Sequence, residues 1–380
     1  MKKLLFVVDN LVMGGVTTVL LNLLNHMDYK KYEIDLLVLH YNSEEGVKLP
    51  SNVSLIKGDE TYKYVDYAIG RIIKNKDIKG LCGKLWLVFL LKTGLIKNAI
   101  AKSRKKMLLK QYDTEIAFND GFTQIFTAVG NAARKIAWLH SDVSVCDFSA
   151  RYETLIYESL TCMDECVCVS KQVKKAYSEK YKIKNATVIH NIIDAEKIRE
   201  KSNEEVDFLK SEETINLISV GRLCKAKNYF RFIRVHKMLL DSGLNINSYI
   251  VGDGEEKEQL ENEIAKCGVA DSFFLLGRRE NPFPYMKKAD VFVLSSDFEG
   301  LPTVLYEALV VGKPCVSTDV AGAEEIIVND CGIITEKSDE SLFSGISKML
   351  RGEELSKYKK AAEEYKLSTD EIISQIENCL

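Results

Sequence analysis

Residues 291–318 read VFVLSSDFEGLPTVLYEALVVGKPCVST. Four apolar residues, 291–294, come first without polar alternation, the mark of a strand covered on both faces. A polar loop follows and closes on Gly300 and Pro302. Residues 303–311 show helical spacing, and Gly312 and Pro314 separate them from a second apolar run at 315–317. Strand, helix and strand in this order predict two parallel neighbours in one sheet.

The same alternation extends both ways. Apolar runs at 215–219, 246–251, 273–275 and 332–334 join the second half, with helices at 228–240, 255–267, 338–350, 357–365 and 368–379. The first half repeats the pattern, with strands at 4–8, 34–39, 53–56, 116–118, 136–139, 166–169 and 188–189. Helical spacing covers 16–27, and 171–181 after Ser170 as N-cap. Periodicity fades across the charged stretch 194–213, the expected linker. Two α/β domains in series are expected: 1–193, then 214–362, with a final helix at 363–380 packing back on the first. A ligand would lie in the cleft between them, outside the carboxyl ends of both sheets.

The chain has 380 residues, 46% hydrophobic and 28% charged, at a net charge of −3. That apolar mass excludes a disordered chain, and the length exceeds one comfortable core. No repeat of fixed period is legible. The slightly acidic balance argues against nucleic acid as a partner. Ten cysteines at low density, mostly in or beside apolar runs, read as reduced cytosolic thiols. Cys162, Cys166 and Cys168 cluster, but the second ligand pair of a zinc site does not follow. The opening Lys2, Lys3 and apolar run imitate a signal peptide. The run stops at Asp9 and Asn10 with no cleavage site before Gly14, so a buried first strand is expected.

Charge is divided unevenly. Residues 1–190 hold 28 Lys/Arg against 20 Asp/Glu, and residues 191–380 hold 24 against 35. Residues 71–110 carry twelve Lys/Arg against one acid, Asp77, interleaved with Leu85, Trp86, Leu87 and Phe89. This is the pattern of a helix lying on an anionic membrane surface; the alternative is a solvated hairpin packed on its own domain. The apolar run 85–91 is far too short to span a bilayer. A cytoplasmic protein held peripherally at the inner face of the plasma membrane is expected.

Several strand ends could carry chemistry. Gly14 and Gly15 follow the first strand, where backbone N–H groups can hold phosphate, though a plain tight turn looks the same. Gly221 and Arg222 end the strand at 215–219, and Lys227 lies just before the next helix. A fork and a point charge at such a junction suit a diphosphate. Gly252 and Gly254 end the next strand, with Asp253 as the expected N-cap of the following helix. Glu299 sits in the loop before helix 303–311, and Glu307 sits within that helix among apolar residues. A carboxylate there needs a partner, either a sugar or ribose diol or a nearby basic residue. His140 ends the strand at 136–139; His190 is a weaker candidate at a strand end, and His26 and His236 lie on helices without evident companions. No metal motif of the DxD type is present.

Together these residues resemble a retaining glycosyltransferase of the GT-B fold, glycosyltransferase family 4 (glycosyl transferases group 1). Glu299, Gly300, Leu301, Pro302, Thr303 and Glu307, followed by Gly312, Lys313 and Pro314, resemble the family's E-x7-E signature. The strand end at 220–223 with Lys227 and Asn228, residues 251–254, and residues 276–278 also fit. The resemblance implies two Rossmann-like α/β/α domains facing each other across a cleft, an N-terminal acceptor-binding domain and a C-terminal nucleotide-sugar-binding domain. It implies that Arg222 and Lys227 bind the donor diphosphate and that Glu307 holds the ribose hydroxyls. Glu299 would contact the donor sugar, and His140 would lie near that sugar and the reacting centre. Gly14, Gly15, Gly221, Gly254 and the residues 300–303 would approach the donor, with the base near Arg278 and Arg279. The implied donor is a nucleotide-sugar, a UDP-sugar above others, with no cofactor or metal. The implied acceptor is a saccharide or lipid-linked saccharide in bacterial surface polysaccharide or glycolipid synthesis, and the basic segment 71–110 suits it. A GT-B nucleotide-sugar 2-epimerase and a non-catalytic nucleotide-sugar-binding module are the rival readings.

Overall fold

Thirteen parallel strands form two separate sheets in a computed structural model, which describes residues 1–380 apart from 13, 41–46, 59–61, 63, 66–68, 75, 147, 207 and 209–213. The first sheet holds β1 (Lys2–Val8), β2 (Tyr32–Val38), β3 (Val53–Lys57), β4 (Thr114–Ala117), β5 (Arg134–Leu139), β6 (Glu165–Cys168) and β7 (Ala186–Val188). Their order is β3-β2-β1-β4-β5-β6-β7. The second holds β8 (Ile215–Val220), β9 (Ile246–Val251), β10 (Phe273–Gly277), β11 (Val291–Leu294), β12 (Cys315–Thr318) and β13 (Gly332–Thr335), in the order β10-β9-β8-β11-β12-β13. The stretch 291–318 is the β11–helix–β12 crossover, with Phe292 paired to Cys315 and Leu294 to Ser317.

The centre of each sheet is apolar on both faces because helices cover both. Leu4, Phe6, Ile116, Ile136 and Trp138 are buried in the first sheet, and Leu217, Ile250, Val291, Val293 and Val316 in the second. In each sheet the chain works outward from one strand and then returns to that strand's other side. The reversals fall between β1 and β4 and between β8 and β11. Loops diverge at such points and leave a crevice at the carboxyl ends of the strands.

The chain divides into two compact units, Met1–Ile192 with Ile372–Leu380, and Ile193–Glu371. The helix Thr369–Cys379 carries the chain back to unit 1, burying Ile372, Ile376 and Cys379. Thr114 Oγ1 donates to the Leu380 carbonyl at 2.9 Å, and Arg134 Nε to that of Cys379 at 2.8 Å. The stretch 194–213, expected as a linker, begins with a helix. Asp194 caps a helix, Ala195–Lys201, that buries Ile198 in unit 2; a capping carboxylate and one buried apolar residue suffice for two turns. Residues 207 and 209–213 of that stretch lie outside the described residues.

The basic segment forms the helices Ile69–Lys74, Ile78–Thr93 and Ile96–Met107. Not all of its cations face solvent. Arg104 is buried, its Nη2 lying 2.6 and 2.7 Å from the two Glu115 carboxylate oxygens and its guanidinium 4.8 Å from the Phe126 ring centroid. Lys97 pairs with Glu158, Lys110 with Glu33 and Asp35, and Lys84 donates to the Val65 carbonyl. Lys76, Lys79, Lys92, Lys102, Lys105 and Lys106 remain exposed. No helix of the described residues is long and apolar enough to cross a membrane.

Candidate functional site

Unit 2 gathers four of the singled-out residues where β8 and β11 end. β8 runs into Gly221, whose N–H donates to the Val251 carbonyl at 3.0 Å. A Cβ at Gly252 would lie 1.8 Å from the Gly221 carbonyl oxygen, and one at Gly254 would lie 2.3 Å from that of Leu223. These glycines therefore let the loops after β8 and β9 press together, a reason internal to the protein. Asp253 does not cap the next helix: its carboxylate accepts from the Gly254 N–H, and the helix Lys257–Cys267 begins after Glu256 with no side-chain cap. Arg222 is exposed on this rim.

The short 3-10 turn Lys225–Lys227 brings Lys227 back over the strand ends. Its Nζ lies 2.7 Å from Glu299 Oε1, which also accepts from Ser296 Oγ at 2.7 Å. Burial disfavours the ammonium, but the Glu299 carboxylate, with Tyr229 and Cys224, outweighs it and holds the Lys227 pKa above the ordinary lysine value. Glu307 projects from the helix Thr303–Val310, where burial pushes its pKa up to about 7 against the opposing pull of Lys227. Glu299 thus pairs directly with the ammonium, and Glu307 feels its charge without an ion pair to it. Pro302 starts the helix with no side-chain cap, so the first-turn N–H groups after Gly300 and Leu301 receive no side-chain acceptor. Arg278 is exposed after β10, two strands from β8; Arg279 lies over the Tyr285 ring at 5.6 Å.

In unit 1 the strand ends of β1, β4 and β5 meet. The helix Gly15–His26 starts after Gly14 without a side-chain cap, and a Cβ at Gly15 would meet nothing within 4 Å. The site therefore has open space beside a helix N-terminus. His140 is 8% exposed, with its ring hydrogen-bonded to the Phe118 carbonyl and no partner at Nε2. Burial takes its pKa down to about 3, so the ring is neutral at physiological pH. The His140 backbone N–H donates to Asp120, whose buried carboxylate also accepts from the Tyr177 hydroxyl at 2.7 Å. Burial raises the Asp120 pKa against these bonds. Asp120 and Tyr177 escaped the sequence reading because an Asp after a short apolar run looks like any turn residue.

His236 and His26 bond within the protein. His236 bridges Ser248 and Ser272 at 2.8 Å each, and burial lowers its pKa to about 4; these hydroxyls are companions the sequence did not reveal. His26 Nδ1 lies 2.8 Å from the Asn22 carbonyl. All ten cysteines are free, and among the described residues no three His, Cys, Asp or Glu side chains gather as metal ligands would.

Comparison with known proteins bears on the family and the fold. Residues 200–366 match the family profile described as glycosyl transferases group 1. The chain is 35% identical over 183 residues to the Campylobacter jejuni N-acetylgalactosamine-N,N'-diacetylbacillosaminyl-diphospho-undecaprenol 4-alpha-N-acetylgalactosaminyltransferase, covering 47% of this chain and 48% of that protein. It is 30% identical over 206 residues to the Escherichia coli UDP-Gal:alpha-D-GlcNAc-diphosphoundecaprenol alpha-1,3-galactosyltransferase, covering 50% and 52%. The chain thus spans about half the length of these curated relatives. The crystal structure of Anabaena HepE with UDP and glucose superposes over 100% of this chain and 99% of that one, with a TM-score of 0.69 at 15% identity. Residues 200–366 form a domain of the glycosyl transferases group 1 family, carried in a chain with the GT-B fold.

Proposed function

We propose that this protein is a retaining glycosyltransferase that moves a hexose or N-acetylhexosamine from a UDP-sugar to a lipid-linked saccharide in bacterial surface polysaccharide or glycolipid synthesis. The observation that carries the reading is the Lys227–Glu299 ion pair at 2.7 Å where β8 and β11 end, with the carboxyl of Glu307 within reach of the same charge. The names of the two undecaprenol-linked relatives support the acceptor class. The exposed lysines and apolar side chains of the segment 71–110 support an anionic membrane surface as its source.

The chemistry follows from charge. Breaking the sugar–phosphate bond puts positive charge on the anomeric carbon and negative charge on the departing diphosphate. Arg222, Lys227 and the first-turn N–H groups of the helix Thr303–Val310 stabilise that negative charge, most strongly where water is excluded. Glu307 takes the ribose hydroxyls and Glu299 those of the sugar. His140 is neutral, and its unpartnered Nε2 would accept from a sugar hydroxyl once the groups that shield it move aside. The acceptor oxygen enters on the face the phosphate leaves, and the leaving phosphate takes its proton. The two cations supply the charge compensation, so transfer should survive a chelator.

The test is transfer from a panel of UDP-sugars to undecaprenyl-diphosphate-linked saccharides, with a control lacking acceptor. Arg222→Ala and Lys227→Ala should each lower kcat/KM by about tenfold or more, because an ionised partner of the diphosphate is lost. Unchanged transfer in both variants would remove the diphosphate role. A 2-epimerised nucleotide-sugar formed without acceptor would replace the reading with the epimerase.

A further inference from the structure

Arg231 lies in the first turn of the helix Tyr229–Asp241 and is 6% exposed. A cation there opposes the helix dipole, so the helix itself gives no reason for it. Its bonds instead run to two loops. Nη1 donates to the Ser295 carbonyl at 2.8 Å and lies 2.9 Å from Asp297 Oδ1, and Nη2 donates to the Lys337 carbonyl at 2.9 Å. The other Asp297 oxygen accepts from Asn228 Nδ2 at 2.9 Å.

Asn228 adds a second oddity. Its φ is 43°, the left-handed region where glycine is cheapest, yet the position carries an amide that both caps the helix and grips Asp297. The contacts continue along the backbone. Asp297 N–H donates to the Ala226 carbonyl at 2.8 Å, and Ser295 Oγ to the Lys227 carbonyl at 2.9 Å. The segment bearing Lys227 is thus fastened to the loop bearing Glu299 by five contacts, each within four residues of one of those side chains.

We propose that Arg231, Asp297 and Asn228 form a positioning triad that sets Lys227 and Glu299 for an anionic diphosphate. None of the three is a catalytic residue. Arg231 neutralises Asp297 and, through it, fixes Asn228 and the turn that aims the Lys227 ammonium. The inference rests on the donor reading above.

The experiment measures calorimetric affinity of the full chain for UDP and for uridine, which lacks the diphosphate. Asp297→Asn should weaken UDP about tenfold and leave uridine within about twofold. Asn228→Gly keeps the left-handed backbone and removes the amide, so it should weaken UDP severalfold while the lost helix cap lowers the unfolding midpoint only slightly. It serves if Asp297→Asn fails to fold. Equal loss of both ligands, or unchanged UDP affinity in Asn228→Gly, overturns the triad while wild-type binding keeps the donor reading. Wild-type protein that binds neither ligand overturns the donor reading, and the triad with it.

Discussion

Glu307 shows how one side chain sets stability against use. Its pKa in the fold is about 7, against an ordinary value of 4.5. The folded state therefore holds a proton that the unfolded chain releases between these values. Stability from this group is present below about pH 4.5, falls as pH rises to about 7, and stays low above, by about 3 kcal/mol in all. Glu307→Gln should accordingly raise the unfolding midpoint at pH 8 and leave it nearly unchanged at pH 4, while weakening UDP. A midpoint shift equal at both pH values would remove the buried-carboxylate account. The sequence made this residue legible: an acid among Leu305, Tyr306, Ala308 and Leu309 has no place unless something meets it. The charge that acts on it was not legible, because the position of Lys227 depends on a 3-10 turn whose three residues carry no periodic signal.

At the scale of elements, the segment 71–110 has two kinds of surface. The helix Ile78–Thr93 is opened by Asp77, which accepts from the Gly80 N–H at 2.8 Å, and closed by Gly94 in the left-handed region. Its Leu87 and Leu90 are buried, while Ile78, Leu85, Trp86 and Phe89 stand 47% or more exposed, with the Trp86 and Phe89 rings stacked at 5.4 Å. Some of the segment packs inward, and a flank stays open. Charge counting alone does not separate them, since Arg104 and Lys105 are adjacent and only one is buried. Replacing Lys102, Lys105 and Lys106 by Gln should weaken binding to phosphatidylserine vesicles by about 1 kcal/mol per residue at low salt. The fold should be untouched. Arg104→Gln should do the reverse, leaving Glu115 buried without its partner and costing about 3–5 kcal/mol of stability. Vesicle binding that ignores the three lysines would leave the exposed flank without an anionic lipid partner.

For the whole molecule, alternating strands and helices announced two parallel sheets, but not the order of strands within them. The same alternation suits any order, and the reversals beside β1 and β8 are decided by long-range packing. The division of the chain is similarly nonlocal. Unit 1 draws on residues 1–192 and on 372–380, so its stability depends on a segment far away in sequence. Ile376 is 2% exposed on that returning helix, and the Leu380 carbonyl accepts from Lys2 and Thr114 at 2.6 and 2.9 Å. Ile376→Ala removes buried apolar volume and leaves a cavity, at a cost of about 2–5 kcal/mol. If the two compact units are also separate units of stability, that cost should appear as faster amide exchange in β1, β4 and β5, with β8 and β9 at the wild-type rate. The affinity for UDP, which the proposed function assigns to residues of unit 2, should then be unchanged. Equal acceleration in both sheets would show that the helix supports the chain as one cooperative body, and the division drawn from packing would not be a division in energy.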